Sequence, residues 1–214
     1  MKLNINGDIE IMMHKGENFN HPVKGTRIEV EPIREEKDIK SILQFLSGKP
    51  RDFLLFTMGI NNGIRAGDLL QIKVGDVRYL RAGQVHQIIE SKTKKKNIVV
   101  VNKAVRKALD IYLANGEHKE DQHYLFQSRK GDNASITVQA LHALIKKWTS
   151  AINLRGNFGT HSLRKTWGYQ QRVKFGVGFD VIAKRFNHSD PKTTMVYLGI
   201  EDKEVHSVLM NEIG

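Results

Sequence analysis

Apolar residues recur at helical spacing through most of the chain. Those between Ile39 and Leu46 fall three or four positions apart behind an acidic start, so an amphipathic helix is predicted over residues 34–46. A second, mostly apolar helix is predicted over residues 52–61, ended by a left-handed turn at Gly63. The same criteria predict further helices over residues 65–71, 103–114, 137–151, 160–175, 180–186 and 203–213, with one more that begins at Pro191. The apolar face of the last helix either folds back on its own core or docks on a neighbouring subunit.

The spacing changes to the alternation typical of strands between residues 77 and 101. Strands are predicted over residues 77–80, 85–90 and 98–101, and a lysine-rich hairpin over residues 91–97 joins the last two. The chain is therefore predicted to be mostly α with a small antiparallel three-stranded β-sheet, an α+β fold. Residues 1–30 show little periodicity and are too few for a domain of typical size, so we expect an N-terminal arm followed by one domain over residues 31–214.

The positive charge of the chain is concentrated in two segments. The 214 residues carry a net charge of +11, of which residues 90–107 and residues 155–198 each carry +6, so the remainder carries −1. Such patches favour a polyanionic partner, most simply nucleic acid, over the alternative of a basic protein with no partner. The chain has no cysteine, which excludes disulfides, and no apolar run of signal-peptide or membrane-spanning length, so we expect an intracellular, cytoplasmic protein with no membrane partner.

The stretch from Phe186 to Tyr197 brings together residues suited to chemistry on a phosphate. Asp190 is a good N-cap and Pro191 suits the first helical position, so His188 is expected in a turn and Tyr197 near the end of a short helix. Upstream, His161 and Arg164 lie three residues apart on one helix face. We interpret Tyr197 as a nucleophile for a DNA phosphodiester.

Breaking a phosphodiester without a metal requires cations on the non-bridging oxygens, an in-line nucleophile and an acid for the leaving oxygen. The sequence has no cluster of acids with metal-ligand spacing, so neither a metal nor another cofactor is expected. Taken singly, the candidates have ordinary interpretations: a turn residue for His188, a solvated side chain for Arg65, a nonspecific phosphate contact for Lys92. Their order along the chain favours the functional interpretation of these residues over the ordinary ones.

Five motifs in that order resemble the catalytic domain of the tyrosine recombinase (phage integrase) family. Gly63-Ile64-Arg65-Ala66-Gly67-Asp68-Leu69-Leu70 is similar to the first arginine motif, and Ser91-Lys92-Thr93-Lys94 is similar to the β-hairpin lysine motif. His161-Ser162-Leu163-Arg164 resembles the His-x-x-Arg motif, and Asn187-His188-Ser189 through Thr193-Thr194 to Tyr197 resembles the two terminal motifs. The resemblance covers residues 34–200 and implies the fold of that catalytic domain.

The resemblance also implies a role for each residue. Arg65 and Arg164 would clamp the scissile phosphate, and His188 would hydrogen-bond it. Tyr197 would attack phosphorus to give a 3′-phosphotyrosyl link, with His161 moving the tyrosine proton and Lys92 protonating the leaving 5′-oxygen. Asp68 would orient a neighbour such as His161, and DNA contacts are expected from Lys94, Lys95, Lys96, Arg155 and Lys165.

Two features depart from the family pattern. Asn187 stands where the family has a glycine before its second histidine, which alters that turn without removing the imidazole. Most relatives also carry a helical DNA-binding domain ahead of the catalytic one, for which residues 1–30 are too short. The chain is then expected to be a single-domain member, a remnant, a fragment, or a protein that relies on an accessory DNA-binding partner.

The leading functional hypothesis is a site-specific recombinase or integrase of phages and mobile elements. It would act on double-stranded DNA as a tetramer on paired sites and be a monomer in solution. The alternatives are a catalytically idle DNA-binding regulator and a relaxing enzyme resembling type IB topoisomerases. The presence of a suitable residue at every reactive position argues against an idle regulator. The compact chain and its Thr193-Thr194 to Tyr197 motif argue against a relaxing enzyme.

Overall fold

The structure, a computed structural model, describes residues 2–3, 9–10, 29–115, 120–128, 133–200, 209–210 and 212. Its helices are α1 (Glu36–Phe45), α2 (Pro50–Asn62), α3 (Ala66–Leu70), α4 (Val74–Val77), α5 (Lys103–Ala114), α6 (Val138–Ala151), α7 (Thr160–Phe175), α8 (Phe179–Phe186) and α9 (Pro191–Leu198). Its strands are β1 (Lys2–Leu3), β2 (Ile9–Glu10), β3 (Val85–Ile89) and β4 (Lys96–Val100). The predicted helix over residues 203–213 lies almost wholly outside these described residues.

The strands form two small antiparallel ribbons. β1 pairs with β2, and β3 pairs with β4 in a register that sets Val85 against Val100 and Ile89 against Lys96. The fold is thus mostly helical with a little antiparallel sheet, which confirms the predicted class. The predicted three-stranded sheet is wrong, because among the described residues the β3–β4 sheet has two strands.

The error lies at residues 77–80, which were predicted as a strand. Val74 and Val77 lie one helical turn apart and both are completely buried in the core. The Asp76 carboxylate accepts a hydrogen bond of 2.8 Å from the Lys73 backbone N–H, which caps the start of α4. Core packing at a spacing of three therefore outweighs the β-propensity of the valines.

Capping contacts define several of the helix ends. The side chains of Asn102 and Thr137 accept hydrogen bonds from the backbone N–H groups of Val105 (2.9 Å) and Ala140 (3.1 Å), at the starts of α5 and α6. Gly63 ends α2 in the left-handed conformation, with φ 60°. A Cβ atom at this glycine would also lie 2.5 Å from the Trp167 ring, so both the backbone and the packing require glycine here.

Buried side chains form a large cluster and a small one. The large cluster extends from Ile33 to Leu163 and joins α1, α2, α5 and α6. The small cluster consists of Ile182, Phe186, Leu198 and Ile200, with Trp167 and Tyr197 packed against it. Because α7 contributes Leu163 to the first cluster and Trp167 to the second, it holds α8 and α9 beside the main body of the domain.

No helix within the described part of the chain is both long enough and apolar enough to cross a membrane.

Candidate active site

A cavity of about 500 Å³ opens where α7 meets the second cluster. Its lining contains all six residues that the sequence singled out for chemistry: Arg65, Lys92, His161, Arg164, His188 and Tyr197. These residues come from five separate parts of the chain. The structure brings the six together, and Glu29, Asp190, Lys192, Thr193 and Val196 complete the lining.

Local structure places each of these side chains. Arg65 is the N-cap of α3, two residues after the left-handed turn at Gly63. His161 lies in the first turn of α7, and Arg164 lies about one helical turn further along. His188 follows Asn187, which ends α8 with φ 53°, a conformation that asparagine tolerates better than most residues other than glycine. Asn187 therefore adopts the left-handed conformation that a glycine would favour at this position.

Tyr197 lies in the last turn of α9, whose start has the predicted cap. The Asp190 carboxylate accepts a hydrogen bond of 3.0 Å from the Lys192 backbone N–H, and Pro191 occupies the first helical position. Phe186 and His188 each meet the Tyr197 ring edge-on, with centroids 5.6 Å and 5.4 Å away. These contacts hold the phenol ring at the cavity wall.

The Arg164 guanidinium is almost completely buried, with 3% of the residue exposed. It donates hydrogen bonds to the carbonyl oxygens of Gly63 (2.9 Å) and Phe186 (2.6 Å), which link α7 to the turn after α2 and to the end of α8. Burial lowers its pKa to about 10, so the group keeps its positive charge at neutral pH. Arg164 is therefore a rigid cation at the base of the cavity.

The Tyr197 hydroxyl lies 3.3 Å from Nδ1 of His161. Burial raises the pKa of the phenol above its ordinary value, although the charges of Arg164 and Arg65 oppose that rise. Partial burial lowers the pKa of His161, and the nearby positive charges of Arg164 and Lys165 lower it further. At neutral pH the pair is thus a protonated phenol beside an unprotonated imidazole, which is the arrangement needed to pass the phenolic proton to His161.

His188 is held by a side chain of the same motif. Its Nδ1 lies 2.9 Å from the Thr194 hydroxyl oxygen, and Thr194 is completely buried. In the tautomer that accepts the Thr194 proton at Nδ1, the ring proton is on Nε2. Burial and then the charges of Arg164 and Arg65 lower the pKa of His188 to about 4, so the ring is neutral at neutral pH. It can donate a hydrogen bond to an anion without adding a charge.

Sequence reasoning missed Glu90, a completely buried acid that contacts Arg65. The Arg65 guanidinium donates to Glu90 Oε2 at 2.5 Å. The available signal was a single acid at the end of an apolar strand, followed by seven cations within residues 91–107. It also missed Thr194 as the partner of His188.

Two of the predicted residues make contacts that differ from those expected. Asp68 accepts hydrogen bonds from the backbone N–H (2.8 Å) and hydroxyl (2.7 Å) of Ser91, so it orients the start of the hairpin rather than His161. Lys165, expected on a DNA-facing surface, is instead 6% exposed, with its Nζ 4.7 Å from the centre of the Tyr197 ring. It packs against the tyrosine because the residue after Arg164 on α7 faces the small cluster.

The other expected DNA contacts lie at the surface. Lys94, Lys95 and Lys96 are exposed around the hairpin turn, and Arg155 is exposed in the loop before α7. Among the described residues, no group of three or more His, Asp or Glu side chains is arranged to hold a metal ion.

Comparison with known proteins gives a consistent match. The model of the phage integrase family matches residues 34–204. The chain is 35% identical over 179 residues to the probable integrase/recombinase YoeC of Bacillus subtilis, and this match covers 81% of the chain and 91% of that protein.

Solved structures share the fold. The crystal structure of the XerA recombinase matches with a TM-score of 0.68 at 20% identity, covering 89% of this chain and 68% of that one. The XerH site-specific recombinase, in a post-cleavage complex with its palindromic difH substrate, matches with a TM-score of 0.63 at 18% identity, covering 91% of this chain and 55% of that one.

Proposed function

The chain belongs to the phage integrase family, and from that premise we propose that it is a site-specific DNA recombinase that cleaves and rejoins strands through a 3′-phosphotyrosyl intermediate. The observation that carries the proposal is the cavity that the Tyr197 side chain shares with two guanidinium groups and two imidazoles. A protein that only bound DNA would have no need for a phenol and a neutral imidazole in contact at 3.3 Å.

The scissile phosphate binds between Arg65 and Arg164. Each guanidinium has five N–H donors, and the contacts of Arg164 with two carbonyl oxygens orient its planar fork. Two positive charges in a partly enclosed site stabilise the extra negative charge of the pentacoordinate transition state. His188 donates a further hydrogen bond from Nε2 to a non-bridging oxygen.

Cleavage exchanges one bond to phosphorus for another. The Tyr197 oxygen attacks phosphorus and forms the phosphotyrosyl bond as the bond to the 5′-oxygen breaks, while His161 takes the phenolic proton. Lys92, on the hairpin at the cavity edge, gives a proton to the leaving 5′-oxygen. Rejoining runs these steps in reverse with a 5′-hydroxyl from another strand, and it needs no ATP because the covalent link retains the energy of the phosphodiester.

We assign the DNA contacts to exposed cations of the hairpin and of the loop before α7. Lys94, Lys95, Lys96 and Arg155 would bind backbone phosphates of double-stranded DNA, which supplies binding without sequence readout. The complex of XerH with its difH substrate supports DNA as the partner of this fold. Strand exchange further requires two sites, so we propose a tetramer on paired duplexes, with the catalytic domain over residues 31–214 preceded by an arm.

The first test is covalent capture. We expect the protein, mixed with a duplex that carries its target site and a nick beside the scissile phosphate, to form a DNA complex that survives SDS. Tyr197→Phe should bind the same duplex and form no such complex, because it lacks the attacking oxygen. The adduct is measured by denaturing gel and DNA binding by mobility shift.

Tyr169→Phe is the matched control, since Tyr169 packs against the same small cluster but is not part of the cavity lining. It should form the adduct at the wild-type rate. An adduct formed by Tyr197→Phe would show that another residue attacks phosphorus, and an inert wild-type protein on its own target would contradict the proposed function.

A further inference from the structure

Glu90 lies at the base of the β3–β4 hairpin and is shielded from solvent on all sides. Its carboxylate accepts hydrogen bonds from Arg65 (2.5 Å), the Thr93 hydroxyl (2.5 Å) and the Asn97 amide (2.8 Å). Its backbone also takes part, because the Glu90 N–H donates to Lys95 O and the Glu90 carbonyl accepts from the Lys94 N–H, both at 2.9 Å. One residue thus contacts the first arginine and both sides of the turn that carries Lys92.

The carboxylate is ionised throughout the working pH range. Burial alone would raise the pKa of Glu90, but hydrogen bonds from Thr93, Asn97 and Arg65, together with the nearby Asn187 amide, outweigh burial and lower it to about 2. Asn187 contributes as a nearby dipole, since its Nδ2 has no hydrogen-bond partner in direct contact. A buried charge with this many donors is costly to lose and holds its partners in a defined geometry.

We propose that Glu90 is a positioning residue for the phosphate site, which sets the Arg65 guanidinium and the Lys92 hairpin relative to each other. This inference rests on the proposed function. The NH1 group of Arg65 donates to Glu90, and the same arginine lines the cavity, where a phosphate needs two parallel N–H donors. The same carboxylate anchors Thr93, the residue after Lys92.

The geometry favours this role over simple competition with the phosphate. A competitor would be an exposed acid inside the cavity, which the arriving phosphate displaces. Glu90 is instead completely buried and is not part of the cavity lining, and two of its donors come from the hairpin rather than from the phosphate site. It therefore stays in place when DNA binds and acts through Arg65.

A double-mutant cycle tests the proposal. The rate of phosphotyrosyl formation in a single turnover is measured on the nicked duplex for the wild type, Glu90→Gln, Arg65→Ala and the double variant. We expect Glu90→Gln to slow cleavage by about tenfold or more with DNA affinity nearly unchanged, and to have almost no further effect in the Arg65→Ala protein, since coupled residues are not additive. A residue with a merely structural role would lower the rate by the same factor in both backgrounds.

Asp52→Asn is the matched control, because Asp52 is another buried acid paired with an arginine, Arg51, at 2.9 Å and outside the cavity. It should cleave at the wild-type rate. If thermal melting shows that Glu90→Gln does not fold, Thr93→Val replaces it in the cycle, since this change removes a donor to the same carboxylate oxygen that Arg65 binds.

Each outcome decides the question. Three outcomes would overturn the positioning role while the proposed function stands: rate effects of Glu90→Gln and Arg65→Ala that simply add, cleavage by Glu90→Gln at the wild-type rate, or faster cleavage by Glu90→Gln. Faster cleavage is the result expected of a carboxylate that restrains Arg65. A wild-type protein that forms no adduct would overturn the proposed function, and the role of Glu90 with it.

Discussion

At the scale of single residues, the cavity combines strong positive charge with two neutral imidazoles. Arg164 keeps its charge although it is buried, because its pKa falls only to about 10. Burial, together with this charge, lowers the pKa values of His161 and His188 and so leaves both rings unprotonated at neutral pH. His161 can then accept a proton from Tyr197, which a charged imidazolium could not do.

The lowered pKa of His188 predicts a pH dependence of stability. In the unfolded chain this ring takes up a proton near its ordinary pKa of 6.5, whereas in the folded protein it does so only near 4. Between these values the unfolded state binds more protons, so the free energy of unfolding should fall as the pH falls through this window. Urea unfolding of the wild type and of His188→Asn between about pH 7 and about pH 5 measures the effect.

His188→Asn cannot titrate, so its free energy of unfolding should depend less steeply on pH than that of the wild type. His161 has a lowered pKa as well, so part of the dependence of the free energy of unfolding on pH remains in both proteins. Identical slopes in the two proteins would contradict a buried, neutral His188.

At the scale of elements, the nucleophile depends on a helix of eight residues, α9. A helix this short is not stable through its own hydrogen bonds, so its cap and its packing on the small cluster hold it in place. Asp190 supplies the cap, and Leu198 and Tyr197 supply the packing. The position of the Tyr197 hydroxyl therefore depends on a contact at the opposite end of the helix.

Asp190→Ala should lower both stability and cleavage. Loss of an N-cap acceptor typically costs about 1 kcal/mol, which for a chain of this size lowers Tm by about 2–4 °C. Asp190→Asn is the matched control, because it keeps a side-chain oxygen that can accept from the Lys192 N–H. Thermal melting and the adduct assay compare the two, and equal losses in both would show that the charge of Asp190, and not its cap, is what matters.

At the scale of the whole molecule, polar contacts join the small cluster to the main body. The Arg185 guanidinium donates to the carbonyl oxygens of Asn62 (2.9 Å from Nε) and Ile98 (2.8 Å), which connects α8 to the end of α2 and to β4. Arg164 makes the corresponding contacts from α7. The cavity lies along this junction, so its shape depends on how the two parts of the domain meet.

The exposed lysines of the hairpin predict how salt affects DNA binding. Each phosphate contact contributes about 0.9 to the slope of log K against log salt, so Lys94→Ala/Lys95→Ala/Lys96→Ala should make the slope shallower by up to about 2.7. A triple change of exposed lysines on and after α1, at Lys37, Lys40 and Lys49, removes the same charge and should alter the slope much less. Equal changes in both proteins, measured by fluorescence titration at several salt concentrations, would place the DNA contacts elsewhere.

Much of the fold could be predicted because helix ends are local chemistry. Asn102, Thr137 and Asp190 cap the helices that follow them, and Gly63 and Gly176 end α2 and α7, as their residue types indicate. The predicted strand over residues 77–80 failed because Val77 faces the core together with Val74, at a spacing of three, and only the packed core reveals that spacing.

The sequence by itself determined which side chains are available for chemistry and in what order, and six of them line one cavity. Only the tertiary structure decided what surrounds them: the pairing of Arg65 with Glu90, the contact of Asp68 with Ser91 and the burial of Lys165 against Tyr197. The physical reason is the distance along the chain over which each kind of interaction acts. Capping and turn chemistry act over three or four residues, whereas Arg65 and Glu90 are 25 residues apart and meet only because a turn, a short helix and a hairpin pack around them.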